Sequence, residues 1–300
     1  MTDSRQHPLR GILLILAALF FFAALDATSK HLTQKFAVPL LVWARYTLHC
    51  VLMVIFLAPS MRIRLVATQR PLIQVTRALM LVGTTGLLMA ALRLMPLAET
   101  TAILFVTPLL VALLAGPWLG EKIGPQRWLA VLAGFAGALL IARPGGALSG
   151  PGILLALAGA VCYSVYQIQT RQLSSTENTF TMLFYTALVG SVVMTLGLPW
   201  FWDGPRPDGF DLLLIASLGI YGGTGHYLLT RAFRHAPAST LSPFMYAQLI
   251  WATLLGWQVF DHLPDRWTIL GMTVIAGSGL AVVLLERRGK KTEPLPKADS

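Results

Sequence analysis

The chain has 300 residues, of which 55% are hydrophobic and 12% charged, with a mean hydropathy of +0.67. Soluble domains carry about 25% charged residues, so this composition excludes one and points to a polytopic membrane protein. The net charge of +10 sits in short loops and at the two ends, not in a basic stripe interleaved with aromatics, which argues against a nucleic-acid partner.

In chain order, ten apolar runs approach the ~20 residues that cross a bilayer. They fall at residues 11–31, 38–58, 71–92, 98–119, 128–142, 152–170, 180–200, 211–231, 239–260 and 267–285. The fifth is short and calls for extension by its flanks or a locally thinned bilayer. Residues 1–10 precede the first run, a Pro/Gly-rich linker occupies 144–151, and the charged, Pro-containing tail 286–300 reads as disordered.

The runs repeat. Gly11-Ile12-Leu13-Leu14 returns as Gly152-Ile153-Leu154-Leu155, an offset of 141 that also relates Arg93 to Arg234 and Pro96 to Pro237. Pro125-Gln126-Arg127-Trp128 returns as Pro264-Asp265-Arg266-Trp267. The first run thus has an internal counterpart and reads as a retained span, not a cleaved signal. Five spans per copy is odd, so the second copy is expected upside down, the arrangement of secondary transporters with a site between the halves. The expected fold is an all-α integral membrane protein of ten transmembrane helices in two inverted five-helix repeats, 11–143 and 152–285. With a cytoplasmic N-terminus, fifteen of the 23 Lys and Arg residues fall on the inner side and six on the outer, with Arg45 and Arg77 inside spans. That bias places both termini in the cytoplasm.

These residues resemble a known family. Arg93-Leu94-Met95-Pro96-Leu97-Ala98, Pro108-Leu109, Gly120-Glu121 and the Gly134/Gly137 run closing on Pro144 are similar to the EamA-type branch of the drug/metabolite transporter superfamily. In the second copy the same holds for Ala236-Pro237-Ala238, Ser242-Pro243 and the stretch 246–256. The resemblance covers nearly the whole chain outside the tails. It implies a central cavity shared by both repeats, peripheral fifth and tenth spans, and export of a metabolite. It leaves the cargo open, since that family carries amino acids, nucleosides, vitamins, opine-type metallophores, S-adenosylmethionine and drugs.

Ionisable groups inside spans are costly and therefore candidates for function. Asp26 and Lys30 lie four apart near the outer end of the first span; they read either as a surface ion pair with Lys30 snorkelling outward or, for Asp26, as a cavity group. Arg45 and His49 share one face of the second span, Arg45 about 10 Å below the outer surface at the helical rise. An Asp26–Arg45 pair is geometrically allowed. Arg77 reads first as a headgroup contact near the cytoplasmic edge and second as a substrate contact. Glu99 with Arg93, and Glu121 with Lys122, read as turn and cap residues.

The second copy offers polar aromatics instead. Tyr163, Tyr166, Gln167 and Thr170 form one stripe at i, i+3, i+4, i+7, expected to face the cavity; their repeat mates are Phe22, Leu25, Asp26 and Ser29. His226 and Tyr227 follow Gly222-Gly223-Thr224-Gly225, glycines that permit close packing or a local break. Tyr246, Gln248 and Trp251 complete the expected lining, with Pro243 loosening the backbone. Asp26 and His226 are the candidates for proton coupling. Trp118, Trp200, Trp202, Trp257 and Trp267 near span ends read as interface belts.

Cys50 and Cys162 lie in apolar runs without ligand spacing and read as small hydrophobes. No G-x-x-x-x-G-K-S/T, no H-E-x-x-H and no visible nucleophilic constellation occurs, so neither a metal nor a cofactor is expected. The partners expected are a small-molecule substrate and the lipid bilayer; a monomer and a homodimer both fit. The functional expectation is a secondary transporter of a bacterial inner membrane exporting a small zwitterionic, amino-acid-like or amino-acid-derived metabolite, opine-type metallophores included. Efflux of aromatic cationic drugs is the alternative transport reading. An integral-membrane lipid-modifying enzyme, or a non-transporting membrane partner, is the alternative of another class.

Overall fold

The computed structural model describes residues 8–119, 125–143, 148–173, 176–201, 205–235 and 241–291. Among the described residues the helices are α1 (Pro8–Leu32), α2 (Val38–Met61), α3 (Pro71–Leu94), α4 (Leu97–Leu104), α5 (Thr107–Leu119), α6 (Pro125–Ala142), α7 (Gly150–Leu173), α8 (Thr179–Phe201), α9 (Gly209–His235), α10 (Ala247–Phe260) and α11 (Arg266–Lys291). Short 3-10 helices lie at Arg62–Leu65 and Ser242–Tyr246. Proline opens several elements: it stands in the first turn of α2, α3 and the second 3-10 helix, where its missing N–H costs nothing.

Among the described residues, six stretches are long and apolar enough to cross a membrane: Leu9–Leu32, Val38–Leu65, Pro71–Leu94, Gly150–Leu173, Thr179–Trp200 and Gly209–Leu229. Shorter apolar helices run over Leu97–Val111 and Val131–Ala142. The chain is an all-α, multi-pass membrane protein.

Three boundaries differ from the sequence expectation. The span expected at 98–119 is two helices, α4 and α5, separated at Phe105-Val106. Pro108 has no N–H for the carbonyl of Leu104; Thr107 Oγ1 donates to that oxygen instead, at 2.6 Å, and Val106 N–H turns back to Ile103 O at 3.1 Å. The linker ends earlier, because α7 begins at Gly150. The tail begins later: α11 runs to Lys291, so the charged stretch 286–291 continues a helix. Glu121 and Lys122, expected as turn residues, lie outside the described residues.

The helices pack in pairs distant in sequence: α1 on α9, α3 on α7, α2 on α8 and α6 on α11, with α4 and α10 also in contact. Hydroxyls stitch these pairs where lipid tails offer no hydrogen bonds. Trp43 Nε1 donates to Thr195 Oγ1 at 2.9 Å, and Thr47 meets Ser191 at 2.9 Å, joining α2 to α8. Gln169 Nε2 donates to Thr76 Oγ1 at 3.1 Å, joining α7 to α3. The α6–α11 crossing depends on Gly137 and Gly271. A Cβ on Gly271 would stand 2.6 Å from the Gly137 carbonyl, and one on Gly137 2.8 Å from that of Gly271. Two loop clasps mark opposite ends of the bundle. Lys35 pairs with Asp211 at 3.0 Å, and Glu177 Oε1 accepts from Thr68 Oγ1 and the Gln69 amide at 2.8 and 2.9 Å.

Candidate functional site

A cavity of about 310 Å³ lies where the long helices meet the broken ones. That volume is at the small end of ligand pockets. Its charged and polar lining comes from Asp26 on α1, Arg45 on α2, Thr84 and Thr85 on α3, Thr107 on α5, Tyr163 and Gln167 on α7, His226 on α9 and Gln248 on α10. Phe22, Phe105 and Tyr246 supply aromatic walls.

The two charges are held by neutral groups. Gln248 Nε2 donates to Asp26 Oδ2 at 3.5 Å. Arg45 Nη1 donates to Thr85 Oγ1 at 3.3 Å. The Thr85 hydroxyl gives its proton to Leu81 O at 2.9 Å, so the Tyr46 hydroxyl, 2.8 Å away, is the donor in that pair. No ion pair joins Asp26 to Arg45 among the described residues. Each charge thus faces the cavity with hydrogen-bonding capacity to spare.

Of the residues singled out from the sequence, Asp26, Arg45, Tyr163, Gln167, His226, Tyr246 and Gln248 line the cavity. Two others stand one layer behind. His49 stacks on His226, ring centroids 6.4 Å apart and planes within 4°; Tyr166 stacks on Tyr163 at 5.6 Å. Trp251 is not on the wall; it lies edge-on to Phe20 at 5.3 Å. Tyr227 is turned away, 51% exposed on the outer face of α9. The glycines before His226 serve close packing and not a break, because α9 is continuous: Gly225 sits against the Phe22 ring, and Gly222 leaves room for Arg45.

Other intramembrane charges are placed differently from expectation. Lys30 neither pairs with Asp26 nor snorkels. Its Nζ donates to Leu92 O and Met95 O at 2.8 and 2.7 Å, neutralising the negative C-terminal end of α3. Glu99, expected as a turn residue, is 2% exposed. Its Oε1 meets His262 Nε2 at 3.1 Å, a residue presented by the left-handed Asp261 that closes α10. Arg77 does not reach for headgroups: it is 1% exposed, wedged between α3, α7 and α8.

Sequence reasoning missed Thr84, Thr85, Phe105, Thr107 and Pro108 on the cavity wall. The 141-residue offset held a signal for two of them, since it relates Thr85 to His226 and Phe105 to Tyr246. A wider groove of about 650 Å³ lies between the α2–α3 and α7–α8 connections. Its central carboxylate, Glu177, is already engaged by Thr68 and Gln69, so the enclosed cavity is the stronger candidate.

Comparison with known proteins agrees with this architecture. The profile of the EamA-like transporter family matches residues 9–143 and again residues 150–285. An S-adenosylmethionine uptake transporter of Rickettsia felis is 27% identical over 288 residues, covering 96% of this chain and 97% of its own. A riboflavin transporter of Vibrio cholerae is 29% identical, covering 96% and 98%. A solved crystal structure superposes with a TM-score of 0.64 at 23% identity, over 97% of this chain and 100% of the other, a likeness of fold alone.

Proposed function

The chain belongs to the EamA-like transporter family, and from that premise we propose a secondary carrier of the bacterial inner membrane that moves a small amino-acid-derived zwitterion by alternating access. As a member of that family it is a transporter and not an enzyme. The observation that carries the cargo class is the presence of Asp26 and Arg45 in one aromatic-sided cavity. A zwitterion presents a carboxylate to the Arg45 guanidinium and a cation to Asp26 and the ring faces of Tyr163 and Phe22. S-adenosylmethionine, named for the Rickettsia relative, has that chemistry: an α-amino acid with a sulfonium centre and an aromatic base. A flavin lacks the paired charges.

The working cycle rests on two five-span halves in inverted orientation. Exchanging the halves carries the α1–α9 contact into α7–α3, and maps α2–α8 and α6–α11 onto themselves. It also carries the break at Phe105 onto the change from 3-10 to α geometry at Tyr246. The two family matches, one per half, support the same reading. The Lys and Arg distribution supports cytoplasmic termini. Asp26 and His226, both on the cavity wall, are the groups we assign to proton coupling. A secondary carrier runs in whichever direction the gradients dictate, so the export expected from the sequence and the uptake in the relative's name are two settings of one cycle.

Counterflow tests the proposal. Proteoliposomes preloaded with unlabelled S-adenosylmethionine should accumulate the labelled compound. No exchange by folded protein would exclude this cargo.

A further inference from the structure

Arg77 is unused by the cavity and differs from the other intramembrane cations. Lys30 neutralises a helix end and Arg45 faces the cavity, whereas Arg77 is enclosed by protein with no carboxylate paired to it among the described residues. Its acceptors are all neutral: Met182 O and, at 2.9 Å, Thr186 Oγ1 on α8; Thr170 Oγ1 on α7 at 3.4 Å; Gln74 Oε1 on its own helix at 3.5 Å. A guanidinium stays charged at any physiological pH, so a positive charge is fixed inside the bundle with no counter-charge paired to it among the described residues. Such an arrangement is costly and persists where it has a use.

Two donors beside it are unsatisfied. Arg77 Nε and Gln74 Nε2 are buried without a hydrogen-bond partner, and the two residues are three apart on one face of α3. Spare N–H groups next to a fixed positive charge are what a carboxylate oxygen answers. The spot also lies in line with the cavity. Leu81, one turn further along α3, is on the cavity wall. The Tyr166 ring, 5.1 Å from Arg77 Cζ, stacks on Tyr163, which is also on that wall. On the other side, the Arg45 guanidinium lies 5.6 Å from the Tyr46 ring, so tyrosine rings flank both arginines.

We propose that Arg77 and Gln74 form a second station for the cargo's carboxylate, occupied after Arg45 releases it, when the end of the bundle at which α3 begins opens. This rests on the carrier reading above. Passing from one guanidinium to the next keeps the carboxylate compensated while the tyrosine rings move aside, and the cargo fills the donors left empty in the closed state.

Arginine-selective labelling separates this from a purely structural role and needs no variant. Wild-type proteoliposomes are treated with phenylglyoxal, and modification at residues 45 and 77 is read by peptide mass spectrometry. The protectants are acetate and its neutral isostere acetamide at equal ionic strength. The station predicts that Arg77 is modified in the folded carrier and that acetate, not acetamide, slows its modification several-fold. An Arg77 that stays unmodified overturns the proposal, because the site then never opens to a ligand. Equal rates in acetate and acetamide overturn it too, because the site then opens without binding an anion. Protection of Arg45 by S-adenosylmethionine in the same experiment reports on the cargo separately, so the two readings fail independently.

Discussion

Phe105 and Tyr246 stand 141 positions apart, the offset of the internal repeat, and their rings pack against each other with centroids 5.3 Å apart. Each marks the point where its segment changes helical geometry, and both line the cavity. Interrupted segments at matching places in two halves are where carriers of this kind build a midplane site. The contact therefore ties the two breaks to one another directly at the cavity wall.

Tyr246 is seated by Gly279 on α11. A Cβ at 279 would collide with the Tyr246 hydroxyl, so Gly279→Ala forces the ring out of its place beside Phe105. Overpacking of this kind costs about 1–3 kcal/mol. The expected outcome is a lowered unfolding midpoint in detergent and loss of counterflow. Shortening the side chain with Tyr246→Leu in the same chain removes both the hydroxyl and the Cζ that a Cβ at 279 would meet, and should restore part of the unfolding midpoint. A double variant no better than Gly279→Ala would show that the contact does not matter.

Lys30 is predicted to act on stability and not on cargo affinity. Lys30→Met strips two hydrogen bonds from Leu92 O and Met95 O and leaves partly buried carbonyls unpaired, a loss of about 1–3 kcal/mol. Thermal unfolding should shift down accordingly, while the KM for transport stays at its wild-type value. A changed KM with an unchanged midpoint would instead place Lys30 in the cargo path.

Asp265 gives the expected pH response. It is the N-cap of α11, accepting from the Thr268 amide at 2.8 Å, and it pairs with Arg143 at 2.6 Å. The Arg143 hydrogen bond, then the Thr268 amide, hold its carboxyl well below the usual carboxylate range. A folded-state pKa below the unfolded value of about 3.9 means that the stabilisation is fully present above that value. It is lost as pH falls through the depressed folded pKa. Because the pair is exposed, the effect is small. Unfolding midpoints of wild type and Asp265→Asn should differ slightly at neutral pH and converge in strong acid; a gap that widens on acidification would contradict the assignment.

The all-α, multi-pass character of the chain was legible because its composition and its long apolar runs agree. The break in 98–119 was not, since Pro108 sits where a proline is also tolerated in the first turn of a new helix. At the site, charge in an apolar run found Asp26 and Arg45. Helical period found Tyr163 and Gln167, but it cannot separate a wall residue from its stacked neighbour, so Tyr166 came with them. His226 and Tyr227 are adjacent and therefore about 100° apart on the helix, and one of them had to face away. Arg77 and Lys30 were misplaced for a different reason. Their partners are backbone carbonyls and hydroxyls of distant helices, which carry no mark in the sequence.

In the proposed carrier, Arg45 reads a carboxylate while Asp26 reads a cation. The most direct test of that division compares counterflow of labelled S-adenosylmethionine with that of its decarboxylated analogue in proteoliposomes of wild type and Arg45→Gln. Wild type should prefer the carboxylate-bearing compound, and Arg45→Gln should lose that preference through falling transport of S-adenosylmethionine alone. Intact S-adenosylmethionine transport in Arg45→Gln, with the preference unchanged, would contradict the account.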